Sequence, residues 1–496
     1  MKLAALMAER PNQAATAVWD ARAGKTDIAG LTADSRQVER DFLFAAIPGS
    51  EIDGRRFIPH ALDFGAAAIL STIDVQAEVV AGASAILITD PEPRRQFAWM
   101  ADRFFDAQPE TQVAVTGTNG KTSIVTFVQQ IWTALGFNAV SLGTLGIRGP
   151  GVDRNVSLTT PDPVSLHRDL ASLCDVGISH LAIEASSHGL DQFRLDGLRL
   201  NAAGFTNLGH DHIDYHGTNE AYLSCKLRLF AELVQPGGAA VLNADSDVYA
   251  VVRNAAVKAG LSILSYGCTT ADIQLKSLTA RTNGQRLVVA FARELVTVDL
   301  PLVGDFQAWN ALCALGLVLA TGGTTFKEAA LALKTLKGVP GRLEHVGSRQ
   351  NGATVYVDYA HTPDALKAVL KAMRPHTRGR LMVIFGCGGD RDPGKRSMMG
   401  QTATALADIV VVTDDNPRSE EPAAIRAAVL AASPRATEIG DRRTAIRQTV
   451  ASLKTGDVLV VAGKGHEQGQ IVGDAILPFD DGVIARQAIA TADGVS

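Results

Sequence analysis

A lysine and a threonine close a short loop bracketed by glycines, GTNGKT at residues 117–122. The apolar run 113–116 before it reads as a buried strand, and a helical period starts after it. Glycines let such a loop turn tightly, so its N–H groups can point at phosphate oxygens. The helix that follows adds a favourable dipole. Gly117, Thr118, Asn119, Gly120, Lys121, Thr122 and Ser123 are therefore candidates for binding a nucleoside triphosphate. Lys121 would offset β/γ-phosphate charge and the Thr122 hydroxyl would sit on Mg²⁺. The plainer reading is a strand–turn–helix junction with an incidental lysine. Val115 stands where the longer phosphate loop carries its first glycine, so this is a shorter variant.

An acidic candidate closes the apolar run 180–183. Glu184, at the C-terminal end of a buried strand beside a phosphate loop, is well placed for Mg²⁺; alone it could equally cap a helix or pair with a cation. The run NLGHDHIDYH at 207–216 is the densest His/Asp stretch. It could ligate a hydrolytic transition metal, supply Mg²⁺ ligands beside the phosphates, or be a polar turn bonded to itself. The hydrolase pattern needs a histidine directly after Asp214, and Tyr215 stands there, so His212 is favoured as a Mg²⁺ ligand. Residues 221–230 read as an amphipathic helix on which Lys226 would ordinarily be a solvated lysine. His345 reads as an ordinary loop histidine. The loop FGCGG at 385–389 lacks the third glycine of a dinucleotide fingerprint, because Arg391 occupies that place.

These groups need elements to hold them. Short apolar runs at 67–70, 113–116, 180–183 and 458–461 alternate with helical stretches such as 123–135 and 362–373, which argues for α/β domains with largely parallel sheets. Glycine and proline interrupt the pattern at 338–341, and a second break falls near Pro109. The expected domains are therefore 1–108, 109–338 and 339–496. Residues 271–302 alternate like a few antiparallel strands, read as an appendage of the middle domain.

At 496 residues the chain can bury several cores without staples. Its formal net charge of -5 gives no general attraction to nucleic acid or anionic membrane. Five scattered cysteines without a CxxC suggest neither a disulfide framework nor a thiolate zinc site and fit a reducing cytosol. Met1 to Glu9 form no long apolar core before Arg10, and the apolar stretch 311–320 is too short to span a bilayer, so neither a secretory signal nor membrane insertion is expected.

An ordered set of motifs runs the length of the chain: GTNGKTS at 117–123, EASSHGLDQFR at 184–194, TNLGHDHIDYHG at 206–217, GVPGRLE at 338–344 and VDYAHTPDAL at 357–366. GGDRDPGKR at 388–396, DNPR at 415–418 and GKGHE at 463–467 follow. Together they resemble the Mur ligases, in the branch that adds meso-diaminopimelate to a UDP-muramyl dipeptide. The resemblance implies an N-terminal UDP-binding α/β domain, a central P-loop-type ATPase domain with a parallel sheet, and a C-terminal Rossmann-like domain. It implies an ATP- and Mg²⁺-dependent cytoplasmic, monomeric enzyme of peptidoglycan synthesis acting on small molecules.

Residue by residue, the resemblance makes Lys226 a carbamylated lysine whose anion helps hold Mg²⁺ with Thr122, Glu184 and His212. Ser35 and the stretch 50–52 correspond to UDP contacts. Thr159, Thr160, Ser186, Gln192 and Arg194 correspond to contacts with the muramyl dipeptide, although residues 159–161 alone would read as a turn. Arg342 and Asp358 match ATP-binding positions, so domain closure is expected to complete the site. Gln307 and Asn310 match an adenine-side pair, with Gln307 where the family usually has Asn; its amide reaches further. Arg391, Asp415, Asn416, Pro417, Arg418, Gly463 and Glu467 match the amino-acid pocket. Diaminopimelate differs from lysine by one distal carboxylate. A guanidinium is its natural bidentate reader, and lysine-adding relatives generally lack this arginine. A sister ligase adding L-lysine, or a metal-dependent hydrolase built on residues 210–216, are the competing readings.

Overall fold

A computed structural model describes residues 1–8, 16–49, 52–209, 211–281 and 283–495. Arg10, Ser50, Glu51 and His210 lie outside the described residues, as does the side chain of Asp214. The contacts divide the chain into two compact units, Met1–Ser265 with Gly316–Gly323, and Tyr266–Leu315 with Thr324–Ser496.

The first unit opens with a four-stranded parallel sheet, Gly30–Thr32, Phe42–Ala45, Ala68–Ser71 and Ile86–Thr89, in that spatial order. A larger sheet follows. Thr111–Thr116 lies between His180–Glu184 and Leu200–Phe205, all parallel, with Ala139–Gly143 beyond the former and Val234–Asn243 beyond the latter. These strands are largely apolar and buried, as strands covered on both faces must be, except where the start of Val234–Asn243 is exposed at residues 235–237. The consequence for the site is topological. Val115 pairs with Glu184 and Thr116 with Phe205, so the phosphate loop, Glu184 and the segment starting at Thr206 emerge side by side at the carboxyl ends of three adjacent strands.

The second unit contains three antiparallel strands, Ile273–Arg281, Gly284–Phe291 and Glu294–Leu300. Its six-stranded sheet runs Glu344–Ser348, Thr354–Asp358, Val458–Ala462, Leu381–Phe385, Ile409–Val412, Thr437–Glu438, with only the first strand antiparallel. Alternate residues feed two cores. Val383 and Phe385 meet the helices Pro363–Met373, Gly394–Leu406 and Pro422–Leu430. Met382 and Ile384 meet Arg442–Ala451 and Asp481–Ala492. The two cores make a doubly wound layer.

Local chemistry shifts several expected boundaries. The helix expected at 123–135 is Lys121–Ala134, because Gly120 at φ 89° supplies its entry turn. Thr362, read as helical, caps Pro363–Met373 instead; its Oγ1 accepts from Ala365 N at 3.3 Å. The helix carrying Lys226 is Asn219–Arg228 and ends in a π turn, Leu229–Leu233. His345, read as a loop residue, lies in the strand Glu344–Ser348 and its Nε2 is 3.1 Å from Ser348 Oγ. No helix among the described residues is long and apolar enough to cross a membrane.

A fully buried ion pair ties two helices of the second unit together. Arg442 meets both carboxylate oxygens of Asp481, at 2.8 and 2.6 Å, and gives a third bond to Ala462 O at 2.9 Å. Asp481→Ala leaves the guanidinium charged and unpaired in a dry core. It is expected to lower stability by about 3–5 kcal/mol, read from urea unfolding.

Candidate functional site

The phosphate loop is pinned by the neighbouring segment Thr206–Asn207. Asn207 Oδ1 accepts from Asn119 N at 3.0 Å, Thr118 N donates to Asn207 O at 2.9 Å, and Thr206 Oγ1 donates to Asn119 O at 2.7 Å. Gly117 has φ 141°, and a Cβ there would collide with Thr206 Oγ1, so only glycine fits. Lys121 Nζ folds back onto the carbonyls of Gly117 (2.9 Å) and Thr118 (2.8 Å). Ser123 is buried in the first turn of the following helix.

Glu184 is buried beside the loop. Its Oε2 accepts from Thr122 Oγ1 at 3.2 Å and Thr144 Oγ1 at 3.3 Å, and its Oε1 from Thr144 N at 2.8 Å. A Cβ at Gly143 would strike that carboxylate, so the close approach of the two strands depends on the missing side chain. A buried carboxylate with neighbouring hydroxyls is the hard oxygen set that Mg²⁺ takes, so Thr122 and Glu184 fit such an ion. Thr144 is a further residue of this cluster. Nothing local marks it, since it reaches Glu184 across a strand pairing.

Lys226 departs from the solvated surface position that its helix suggested. It is 1% exposed, and its Nζ donates to Gly117 O at 3.0 Å and stands 4.2 Å from the centre of the Tyr222 ring. Burial, and then the charge of Lys121, hold its amine well below the usual lysine value. Two amines thus converge on one loop carbonyl, which further disfavours the charged form of the buried Lys226. A neutral, buried amine is the form that adds CO₂ to become a carbamate, which would place an anion beside the loop.

His212 opens the short helix Ile213–His216 at φ 53°, with its ring edge-on to His188 at 4.9 Å. Its side chain is exposed, and Nε2 lies 3.6 Å from Asp211 Oδ2. Of the rest of this run, His216 groups with Asp191 and Cys225, their ligand-type atoms within 4.8 Å of one another. Asp191 accepts from Tyr215 OH at 2.7 Å, and Cys225 Sγ bonds Ser187 O at 3.0 Å.

The residues matched to the dipeptide form a connected row. Thr160 Oγ1 bonds Glu184 O (2.9 Å) and Ser186 Oγ (3.0 Å), and Thr159 Oγ1 is 3.1 Å from Thr144 Oγ1. Arg194 donates to Thr160 O (2.8 Å) and Gln192 Oε1 (2.6 Å). Ser35 starts a separate short turn, Ser35–Gln37.

In the second unit, Gln307 and Asn310 are buried and joined, Asn310 Nδ2 to Gln307 Oε1 at 3.0 Å, while Gln307 Nε2 donates to Arg342 O at 3.3 Å. The longer Gln arm is thus anchored to the Arg342 turn. Asp358 ends the strand Thr354–Asp358 and accepts backbone N–H groups of Leu343 (2.7 Å) and Ala360 (2.8 Å). The Arg342 guanidinium lies over the Tyr359 ring at 4.6 Å. Burial pushes the Asp358 carboxyl up to about 6, against the pull of Arg342 and the two N–H groups. The folded chain therefore binds this proton more tightly than the unfolded chain, whose value is 3.8. Between those two values Asp358 makes stability fall as pH rises. Asp358→Asn is expected to flatten the slope of unfolding free energy against pH in that window, measured by urea titrations.

The loops 415–418 and 463–467 face each other at the ends of the strands Ile409–Val412 and Val458–Ala462. Asn416 Nδ2 donates to Glu467 Oε2 at 2.9 Å, and Asp415 is buried, which raises its carboxyl, with Arg442 and Lys464 opposing. Pro417 and Gly463 are buried, and Arg391 is exposed. Arg418 sits at φ 52° with its Nη1 on Gly389 O at 2.8 Å. Its backbone is held by a hairpin, Gly469–Val472 with Ala475–Pro478, through Arg418 N to Ile471 O (3.1 Å) and Gly473 N to Arg418 O (2.8 Å).

Three family models match the chain: "Mur ligase family, catalytic domain" over residues 27–105, "Mur ligase middle domain" over 115–318, and "Mur ligase, glutamate ligase domain" over 341–465. The UDP-N-acetylmuramoyl-L-alanyl-D-glutamate–2,6-diaminopimelate ligase of Rhizobium meliloti (strain 1021) is 52% identical over 467 residues, covering 94% of this chain and 95% of that protein. The enzyme of the same name from Caulobacter vibrioides is 52% identical over 472 residues, covering 94% and 96%. A solved structure of a UDP-N-acetylmuramoyl-L-alanyl-D-glutamate–2,6-diaminopimelate ligase superposes with a TM-score of 0.73 at 32% identity, covering 99% of each chain. The fold extends to MurF from Thermotoga maritima in complex with ADP, TM-score 0.60 at 18% identity over 93% of this chain and 96% of that one.

Proposed function

The chain belongs to the Mur ligase family, and from that premise we propose that it is an ATP-dependent amide-bond ligase joining meso-2,6-diaminopimelate to UDP-N-acetylmuramoyl-L-alanyl-D-glutamate, with ADP and phosphate as products. Its place is peptidoglycan precursor synthesis, which serves cell shape and division. It acts on small molecules, as a cytoplasmic monomer without nucleic-acid partners. The observation that carries the reading is the convergence of Lys121, Thr122, Glu184 and the buried Lys226 at the carboxyl ends of adjacent parallel strands.

A peptide carboxylate is a poor acyl electrophile, because oxide is not displaced by an amine. In the proposed sequence the D-glutamyl γ-carboxylate attacks the γ-phosphorus of ATP and ADP departs, leaving an acyl phosphate. The diaminopimelate amine then attacks the acyl carbon, and the tetrahedral adduct collapses to amide and phosphate. Loop N–H groups and Lys121 would receive the phosphates and offset charge as two anions approach. Thr122, Glu184, His212 and carbamylated Lys226 would hold Mg²⁺, which neutralises phosphate charge when bound. Gln307, Asn310, Arg342 and Asp358 are assigned to the nucleotide. Thr159, Thr160, Ser186, Gln192 and Arg194 are assigned to the muramyl dipeptide, and Ser35 to its uridine nucleotide. Arg391, Asp415, Asn416, Pro417, Arg418, Gly463 and Glu467 are assigned to the amino acid, with Arg418 reading its distal carboxylate.

The test is an ADP-release and product assay with the UDP-dipeptide, ATP and either meso-diaminopimelate or L-lysine. Product with diaminopimelate, at the expense of ATP, is expected. A preference for lysine would move the chain to the sister activity, and amide formation without nucleotide cleavage would overturn the mechanism.

A further inference from the structure

Lys464 belongs to no role assigned so far, yet it is completely excluded from solvent. A lysine is almost never fully buried unless its charge is paired. Its Nζ donates to Asn416 Oδ1 at 2.9 Å and to Glu467 Oε2 at 2.9 Å. We propose that Lys464 is a positioning residue of the amino-acid pocket: its ammonium fixes the Asn416 amide and the Glu467 carboxylate, and so sets the affinity for the incoming diaminopimelate. This inference rests on the pocket assignment made above.

The orientation of Asn416 follows from counting donors. Its Oδ1 takes the Lys464 ammonium and also Ile471 N at 3.0 Å. Only an oxygen can accept two donors, so the NH₂ group must point the other way, to Glu467 Oε2 at 2.9 Å. Turning the amide over would set its NH₂ against an ammonium and a backbone N–H. Glu467 receives both partners on Oε2, and among the described residues its Oε1 takes no bond. That oxygen is the pocket's available acceptor for a substrate ammonium. Burial pushes the Glu467 carboxyl up, but Lys464 and Asn416 outweigh it and hold it below the usual range. Glu467 is therefore an anion at neutral pH. Lys464 also offsets one of the two carboxylates, Asp415 and Glu467, that the loops bring together.

The test uses the full-length chain carrying Lys464→Met or Lys464→Gln, with KM measured for each of the three substrates. Lys464→Met is expected to raise KM for diaminopimelate by about tenfold or more, the size of one charge-assisted hydrogen bond. KM for ATP and for the UDP-dipeptide should stay near the parent values, as should kcat. The acid limb of the diaminopimelate KM profile should move to higher pH as Glu467 loses its cationic partner. Lys464→Gln can still donate to Asn416 Oδ1 and should recover part of the loss. An unchanged KM for diaminopimelate, or an equal rise for all three substrates, overturns the proposal; if the Met variant does not fold, the Gln variant decides on the same criteria. A parent enzyme that fails to join diaminopimelate would instead overturn the functional reading. A competent parent with unaffected variants refutes Lys464 alone.

Discussion

Lys226→Met is expected to remove ligase activity while leaving the chain as stable as the parent or more so. The two effects have opposite signs for one reason. In the folded chain the amine is desolvated and stands near the Lys121 charge, so its protonated form is disfavoured. Methionine fills similar space without a polar group to bury, and the main loss is the bond to Gly117 O. For catalysis, however, the buried amine is the group proposed to become a carbamate beside the phosphates. Without that anion, the rate of ADP release with all substrates should fall by about 10²–10³ or more, the usual cost of deleting a preorganised charge from such a site. Intact-mass analysis of the parent should show the addition of one CO₂, and stripping CO₂ from the buffer should reduce parent activity until bicarbonate is restored. Methionine at 226 with activity close to the parent value would refute the role.

Arg418→Met should lower kcat/KM for meso-diaminopimelate by about 10²–10³, since a distal carboxylate would then be enclosed without its cation. L-lysine has no such carboxylate and should lose little, so the preference between the two amines should largely disappear. ATP affinity should be unchanged. The prediction draws on the way Arg418 is held: Nη1 is anchored to Gly389 O, while Nε and Nη2 take no bond among the described residues. One nitrogen fixes the plane and the other two remain for a ligand. Competition assays with both amines present give the ratio directly, and an unaltered ratio would remove Arg418 from selectivity.

What could be read from the chain and what could not divide along sequence distance. The phosphate loop, Glu184 and the alternating α/β pattern are local signals, since a strand, a turn residue and a helix start lie within a few positions of one another. Lys226 is different. Its helix shows polar residues at the spacing of a solvated face, and burial comes from the loop carbonyl of Gly117, which is 109 residues away. Arg442 and Asp481 are separated by 39 residues and Asn416 and Lys464 by 48, so no window of sequence marks either pair. His345 reads as a loop residue because its strand is a short sheet edge that begins only three residues after the glycine-rich turn at 338–341. The hairpin Gly469–Pro478 has strand formers in Ile471, Val472 and Ile476, but its strands are only four residues long and largely exposed, and their apolar residues stand adjacent rather than alternating.

That hairpin has a consequence for anyone wishing to retarget the enzyme. The backbone on either side of Arg418 is laced to Ile471 and Gly473, and Asn416 shares Ile471 as well. Transplanting the tetrapeptide at 415–418 into a scaffold with a different 469–478 segment would deliver the guanidinium without the clamp that holds its unusual backbone angle. The two stretches form one exchangeable cassette, discontinuous along the chain, and a chimera would have to inherit both halves together.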